Sequence, residues 1–381
     1  MWVANVHVCM ITREFPPESG GIGYYIYNLS KGLIKKGHKV TVITRGSTRR
    51  LEKEVIDDID VFKATFFPLY PFQMGLHGLF VNSLVKSLEP EFSLVHLHSP
   101  LTPPIKTALP IVTTVHTAMR IDSRYHEVVD PYSLAEKLQS MYFSPFVESQ
   151  LLRLSNIVTA VSPTVASELN EYGIDSRKVA VMWNGVDEKI FCPIRNKEKS
   201  EKYVLYTGVL RARKGLFDLV KCAILVKKII PDIKFIICGT GPLLQKLKEQ
   251  VRGLGLEEQV IFLGRVDRKK LIQVYQNATI HVIPSIYEGL PTVLLEGMAC
   301  GLPVVATNIG GNRDIISSNE NGLLVPPRSP EEMAKMIIIL WTDTSLREKL
   351  GGSARETILK KYTWDIITNN FIHVYEGLLQ K

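Results

Sequence analysis

The chain has 381 residues, 45% hydrophobic and 22% charged. At about 150 residues per domain this makes two to three globular domains, and it excludes a disordered, collagen-like or disulfide-stapled chain. Lysine plus arginine outnumber aspartate plus glutamate by 46 to 38, a formal charge of +8, a mild excess that attracts phosphorylated ligands, anionic lipid or nucleic acid without choosing among them.

Met1 to Ile11 is apolar but carries neither a basic leader nor a small-residue cleavage site, so it reads as a first strand and not a signal peptide. The loop Gly20-Gly21-Ile22-Gly23 follows, approached through Pro16, Pro17 and Glu18. A helical pattern then runs from Ile22 to Lys36, stops at Gly37, and gives way to a β-branched run from His38 to Thr44. Strand, glycine loop, helix and strand in that order are the signature of a parallel sheet. Lys31, Lys35, Lys36, Lys39, Arg45, Arg49, Arg50 and Lys53 crowd this helix and its flank, with Glu52 the one acid inside the span, a face suited to peripheral contact with an anionic membrane. Asp58-Ile59-Asp60 is a DxD triplet without a glycine-rich catalytic context; it reads as an exposed turn, and no metal is expected. Further buried strands are predicted at Leu94 to His96, Ile111 to His116, Ile157 to Val161 and Val179 to Trp183, which makes the first half a doubly wound α/β domain.

Asn184-Gly185-Val186-Asp187 and the charged stretch Arg195 to Lys202 read as a linker, after which the same grammar restarts. Strands are predicted at Tyr203 to Thr207, Lys234 to Cys238, Val260 to Leu263, Thr279 to Ile283 and Val304 to Ala306. Helices fall near Leu216 to Ile230, Leu243 to Arg252 and Lys269 to Tyr275. The expected domains are 1–187, a second Rossmann-like domain over 188–362, and a C-terminal helix over 363–381 packing back on the first. Ligands in such sheets sit beyond the carboxyl ends of the strands, so two such domains facing across a cleft would enclose one. No apolar run reaches the roughly 18 to 20 residues that span a bilayer. Cys9, Cys192, Cys222, Cys238 and Cys300 are scattered, with no CxxC pair, and read as reduced thiols of a cytosolic protein.

The post-strand loops carry the chemistry. Gly20 and Gly21 open the first helix, where backbone amides and the helix dipole can cradle phosphate. Gly239-Thr240-Gly241-Pro242 has two glycines but Leu244 where a dinucleotide fingerprint needs a third, so a nicotinamide dehydrogenase has little support. The segment Pro284 to Ala306 is the most informative: Glu288 in a loop, Gly289 and Pro291 shaping it, and Glu296 in the next helix. A carboxylate there can accept hydrogen bonds from vicinal hydroxyls such as those of a ribose, while the loop carboxylate meets a second polyol.

This segment, E-x7-E followed by A-x-G-x-P-V-V, resembles the signature of the retaining GT-B glycosyltransferases of family 4. The likeness extends along the chain through Gly20-Gly21, Val115-His116, Val161-Ser162-Pro163, Asn184-Gly185-Val186-Asp187, Gly208 with Lys214-Gly215, Gly239 with Gly241-Pro242, Phe262-Leu263-Gly264 and Gly310-Gly311. It implies an α/β, two-domain GT-B fold that moves a hexosyl unit from a nucleotide-diphosphate sugar, of UDP or GDP type, to a hydroxyl acceptor that is lipid-linked or a glycan. By that resemblance, amides around Gly21 and of Gly289, Leu290, Thr292 and Val293 serve the diphosphate and sugar, with Pro291 shaping the turn and Gly239 and Gly241 helping. Glu296 binds the ribose, Glu288 the transferred sugar, Val266 the base through its backbone, and His116 the sugar's primary hydroxyl; His96 and His98 are weaker candidates. The family's arginine after the loop glycine is missing, because Val209 follows Gly208. Lys214 is retained, and Arg211 or Arg213 would supply the second cation. An oxocarbenium-like, front-side transfer without metal or cofactor is implied. The alternatives are an inactive nucleotide-sugar binder or an epimerase on the same fold; a nucleic-acid binder lacks interleaved aromatic and basic residues.

Overall fold

The computed structural model describes residues 5–16, 20–46, 50–67, 73–100, 102–125, 134, 137–194 and 202–380. Pro17, Glu18, Arg49 and, of the expected linker, residues 195–201 lie outside them. The chain divides into two compact units, Met1–Asn184 with Trp364–Lys381, and Gly185–Thr363.

The first unit is built on strands β1 (His7–Ile11), β2 (Lys39–Arg45), β3 (Glu52–Ile56), β4 (Ile59–Ala64), β5 (Leu94–Ser99), β6 (Ile111–Val115), β7 (Ile157–Ala160) and β8 (Val179–Val181). They form one sheet in the order β3-β4-β2-β1-β5-β6-β7-β8, parallel throughout except where β3 runs against β4. The interior strands read as unbroken apolar or small residues because helices cover both faces of a parallel sheet. Tyr25, Ile26, Leu29 and Leu33 of the Gly21–Lys35 helix join Phe371, Ile372 and Tyr375 of the Trp364–Leu379 helix in the same core. These helices approach closely at Gly32, where a Cβ would fall 2.1 Å from Thr368 Oγ1.

Sequence reasoning missed β3. It alternates half-buried and exposed residues at the sheet edge, and its charges read as surface; charged edge strands are a common guard against further pairing. Asp57 and Asp58, with φ of 48° and 64°, form its two-residue turn, the doubly left-handed geometry that suits a hairpin. Of the DxD carboxylates, Asp58 lies in this turn and Asp60 pairs with Lys53 at 3.2 Å, while the neighbouring Asp57 accepts from the Tyr27 hydroxyl. The basic face is also less one-signed than its sequence, since Lys31 meets Asp57 at 3.6 Å and Lys36 meets Asp365 at 2.9 Å. Folding brings acids into a span that contains one by sequence.

The second unit has β9 (Tyr203–Thr207), β10 (Lys234–Cys238), β11 (Val260–Gly264), β12 (Ile280–Ile283), β13 (Val304–Thr307) and β14 (Leu323–Val325). All are parallel, in the order β11-β10-β9-β12-β13-β14. The chain starts at the middle with β9, runs out to β11, then crosses back to lay β12 on the other side of β9. That reversal opens a crevice at the carboxyl ends of β9 and β12, the usual ligand position in open α/β sheets.

Candidate active site

Glycine decides how the loops of the second unit fit together. Gly215, with φ of 67°, follows the short 3₁₀ turn Ala212–Lys214 and caps the Leu216–Lys227 helix. A Cβ on it would lie 1.9 Å from the Pro284 carbonyl oxygen, so the loop after β9 seats against the loop after β12 only with glycine there. Gly239, with φ of 146°, is similarly placed 1.9 Å from the Gly208 carbonyl oxygen. The Leu210 amide donates to the Thr240 carbonyl at 2.9 Å and the Ile286 amide to the Arg213 carbonyl at 2.7 Å. Three post-strand loops are thus tied into one rim.

Glu288 is set into this rim, 5% exposed. Lys214 Nζ donates to its Oε1, Ser285 Oγ donates to the same oxygen at 2.7 Å, and Arg213 Nη1 stands 3.5 Å from Oε2. Burial alone would push this carboxyl up, but the Lys214 and Arg213 charges and the two hydrogen bonds outweigh it and hold the group below the ordinary carboxylate range. It is an ionised carboxylate with two cations at its side.

Glu296 sits in the Thr292–Ala299 helix, for which Pro291 is the residue before the first turn. Its Oε2 accepts from the Tyr275 hydroxyl at 2.8 Å, and that hydroxyl also meets Thr207 Oγ1 at 2.6 Å. Burial pushes the Glu296 carboxyl up to about 7, against the opposing hydrogen bond from Tyr275 and the charge of Arg268. The two glutamates, eight residues apart, are tuned in opposite directions. Helix geometry leaves the first-turn amides of Thr292 and Val293 without intrahelical partners. Val266 lies on the loop after β11, between Gly264 and the capping Asp267.

In the first unit, His116 follows β6 and is buried, its Nε2 3.4 Å from His98 Nδ1 and its ring 4.7 Å edge-on from Tyr25. His96 stacks next to His98 at 4.2 Å and bonds the Tyr375 hydroxyl and Thr114 Oγ1, both at 2.7 Å. Burial pushes His116 down to about 3, and His96 as well under the added effect of His116. All three rings are neutral at physiological pH, so His116 can offer a hydrogen bond but no positive charge. The glycine loop is already occupied from within: Glu14 Oε1 accepts from the amides of Gly20 at 3.1 Å and Gly23 at 3.3 Å. A carboxylate stands where the sequence places phosphate, which matches the anion preference of a helix start.

Comparison with known proteins agrees with this geometry. The model for Glycosyltransferase Family 4 matches residues 19–189, and the model for Glycosyl transferases group 1 matches residues 187–357. The chain belongs to the family 4 glycosyltransferases. It is 27% identical to an uncharacterized glycosyltransferase of Methanocaldococcus jannaschii, over 97% of each chain. Sucrose-phosphate synthase from Thermosynechococcus elongatus shares the fold with a TM-score of 0.84 at 22% identity, covering 99% of this chain and 100% of that one. HepE from Anabaena, solved in complex with UDP and glucose, follows with a TM-score of 0.74 at 18% identity, covering 97% and 99%. The fold is GT-B, and the protein is a glycosyltransferase.

Within the transferase, the rim of the second unit brings together Lys214, Glu288, Gly208, Gly239 and Gly241, all singled out by sequence. Arg211 does not join the cluster: it is exposed and caps the 3₁₀ turn, whereas Arg213 faces Glu288. Val209 is exposed. Sequence reasoning missed Tyr275, Ser285 and Glu14. Ser285 had a signal, lying three residues before Glu288; Tyr275 and Glu14 reach their partners through the fold and had none.

Proposed function

We propose a cytoplasmic, metal-independent, retaining hexosyltransferase that moves a hexosyl unit from a UDP- or GDP-type sugar to a hydroxyl of a lipid-linked or glycan acceptor. The observation that carries this reading is the ionised Glu288 between Lys214 and Arg213 in the β9/β12 crevice. The UDP and glucose held by the Anabaena protein of the same fold support a uridine donor.

In this reading Glu288 accepts hydrogen bonds from sugar hydroxyls while Lys214 and Arg213 face the diphosphate. When the anomeric carbon–oxygen bond breaks, negative charge gathers on the leaving phosphate and positive charge on the sugar ring. Fixed cations and helix amides stabilise the leaving group more than the bound donor, which is the condition for faster chemistry. The acceptor attacks the face that the diphosphate leaves, and its proton passes to the departing phosphate oxygen. The anomeric configuration is kept. Glu296 takes the ribose hydroxyls, and neutral His116 serves the primary hydroxyl of the sugar.

A thermal-shift panel of uridine, guanosine and adenosine diphosphate sugars with chelator tests this. One donor is expected to raise Tm with and without chelator, and proton NMR of its transfer product is expected to show the donor's anomeric configuration. Stabilisation lost on chelation contradicts metal independence, and an inverted product contradicts retention.

A further inference from the structure

We infer that the first unit docks on an anionic lipid bilayer through an arginine-and-aromatic face built from residues 120–124 and 138–153, separate from the lysine-rich helix near the amino terminus. This goes beyond the transferase reading and does not depend on it. Six of the 21 exposed large hydrophobic side chains among the described residues fall between 134 and 146, and within them Tyr142 is 71% and Phe146 59% exposed. Such clustering marks an interaction surface, unlike single exposed apolar residues. The π-helical turn Gln139–Phe143 runs into the Ser144–Leu154 helix. That helix buries Ser144, Pro145, Glu148, Leu151 and Leu152, so Tyr142, Phe146, Gln150 and Arg153, four, four and three residues apart, fall on its outer stripe.

The occupant follows from the charge beside that stripe. A groove of about 650 Å³ is lined by Arg120, Arg124 and Arg153 together with Met141, Tyr142 and Phe146, and Glu171 is the one acid on its wall among the described residues. Arg124 pairs with Glu171 at 2.9 Å, and Arg120 lies over the Tyr172 ring at 4.8 Å with Nη1 on the Glu171 carbonyl. Among the described lining residues, three cations stand against one acid, a positive balance. Aromatic rings that enter the headgroup boundary, beside guanidinium groups that meet lipid phosphates, are the chemistry of an anionic bilayer surface. No helix among the described residues is long and apolar enough to cross a membrane, so the attachment is peripheral.

The test is co-sedimentation of the full chain with phosphatidylcholine vesicles with and without phosphatidylglycerol. The wild type is expected to bind the anionic vesicles and to be released by salt. The pair Tyr142→Ser and Phe146→Ser, and separately Arg153→Glu, are each expected to lower the bound fraction at least about fivefold, with Tm and nucleotide-sugar response unchanged. Lys31→Glu with Lys53→Glu is expected to leave binding as it was. Tyr142→Trp supplies a readout that needs no loss of binding: its emission moves to shorter wavelength on anionic vesicles and is quenched by brominated acyl chains. Equal binding to neutral vesicles, retention of binding in the Tyr142/Phe146 variant, or loss with the Lys31/Lys53 variant instead would overturn the inference. So would a dimer that the Tyr142/Phe146 variant dissolves without any vesicle binding, which would make the face a contact between copies of the chain.

Discussion

Glu296 and Glu288 share a residue type and a neighbourhood, yet the first is pushed up to about 7 by burial while the second is held low by Lys214 and Arg213. Glu296→Gln is expected to weaken nucleotide-sugar binding by about 1.5 to 3 kcal/mol at pH 8, the range for a hydrogen bond to a charged group, measured by calorimetry. The wild type is expected to lose affinity as pH falls through 7 and this carboxylate is protonated, while the variant stays flat; a wild-type affinity that ignores pH contradicts the ribose role. For stability the sign is opposite. A carboxyl raised in the folded state binds its proton more tightly there than in the unfolded chain, so its stabilising contribution is present below the unfolded value near 4.5 and is lost as pH rises through 7. Glu296→Gln therefore gains Tm relative to wild type at pH 8 but not at pH 4. The two arginines separate in the same way: Arg213→Ala is expected to lower kcat at least about tenfold, while Arg211→Ala, an exposed turn residue, stays within about twofold. The reverse ranking would restore Arg211 as the second cation.

At the scale of elements, the post-strand loops are held by backbone approaches that no side chain tolerates. Gly215→Ala would bring a Cβ to 1.9 Å from Pro284 O at a positive φ and is expected to cost about 2 to 4 kcal/mol, the range for backbone strain combined with overpacking. Gly352, in the Thr344–Lys361 helix with nothing within 4 Å of its Cβ position, is the control: alanine there is expected to add about 0.5 to 1 kcal/mol through helix propensity. Thermal denaturation of both variants checks the pair, and equal effects would sink the interlocking-loop account. The parallel strands were legible because buried strands between helices are short apolar runs with little competing signal. β3, alternating at an edge, and the three-residue β14 were not, since so few residues carry no period. Gly239 and Gly241 were legible as loop glycines, but their close packing on Gly208 and Leu210 was not. Tyr275 could not be read, because its partners Thr207 and Glu296 are 68 and 21 residues away.

The whole chain is a two-unit molecule in which 185–363 is continuous and the other unit is closed by the Trp364–Leu379 helix. A ligand that binds only the folded state stabilises by about 2.7 kcal/mol at a hundredfold excess over Kd. Nucleotide diphosphate is therefore expected to slow hydrogen exchange first in 208–215 and 284–299, read by mass spectrometry. Protection confined to the first unit would contradict placing the diphosphate at the β9/β12 crevice. Charge is a whole-molecule property too: the basic run near the amino terminus is paired in the fold with Asp57, Asp60 and Asp365, which lie outside it in the sequence.

In the proposed mechanism a fixed cation at this crevice stabilises the leaving diphosphate as the sugar bond breaks. Its most direct measurement is Lys214→Ala, with kcat for donor turnover and donor Kd determined on the same preparation. A fall in kcat of about a hundredfold is expected, some 2.7 kcal/mol at 1.36 kcal/mol per tenfold, with a much smaller change in Kd. Full kcat in the variant, or a loss confined to Kd, would contradict it.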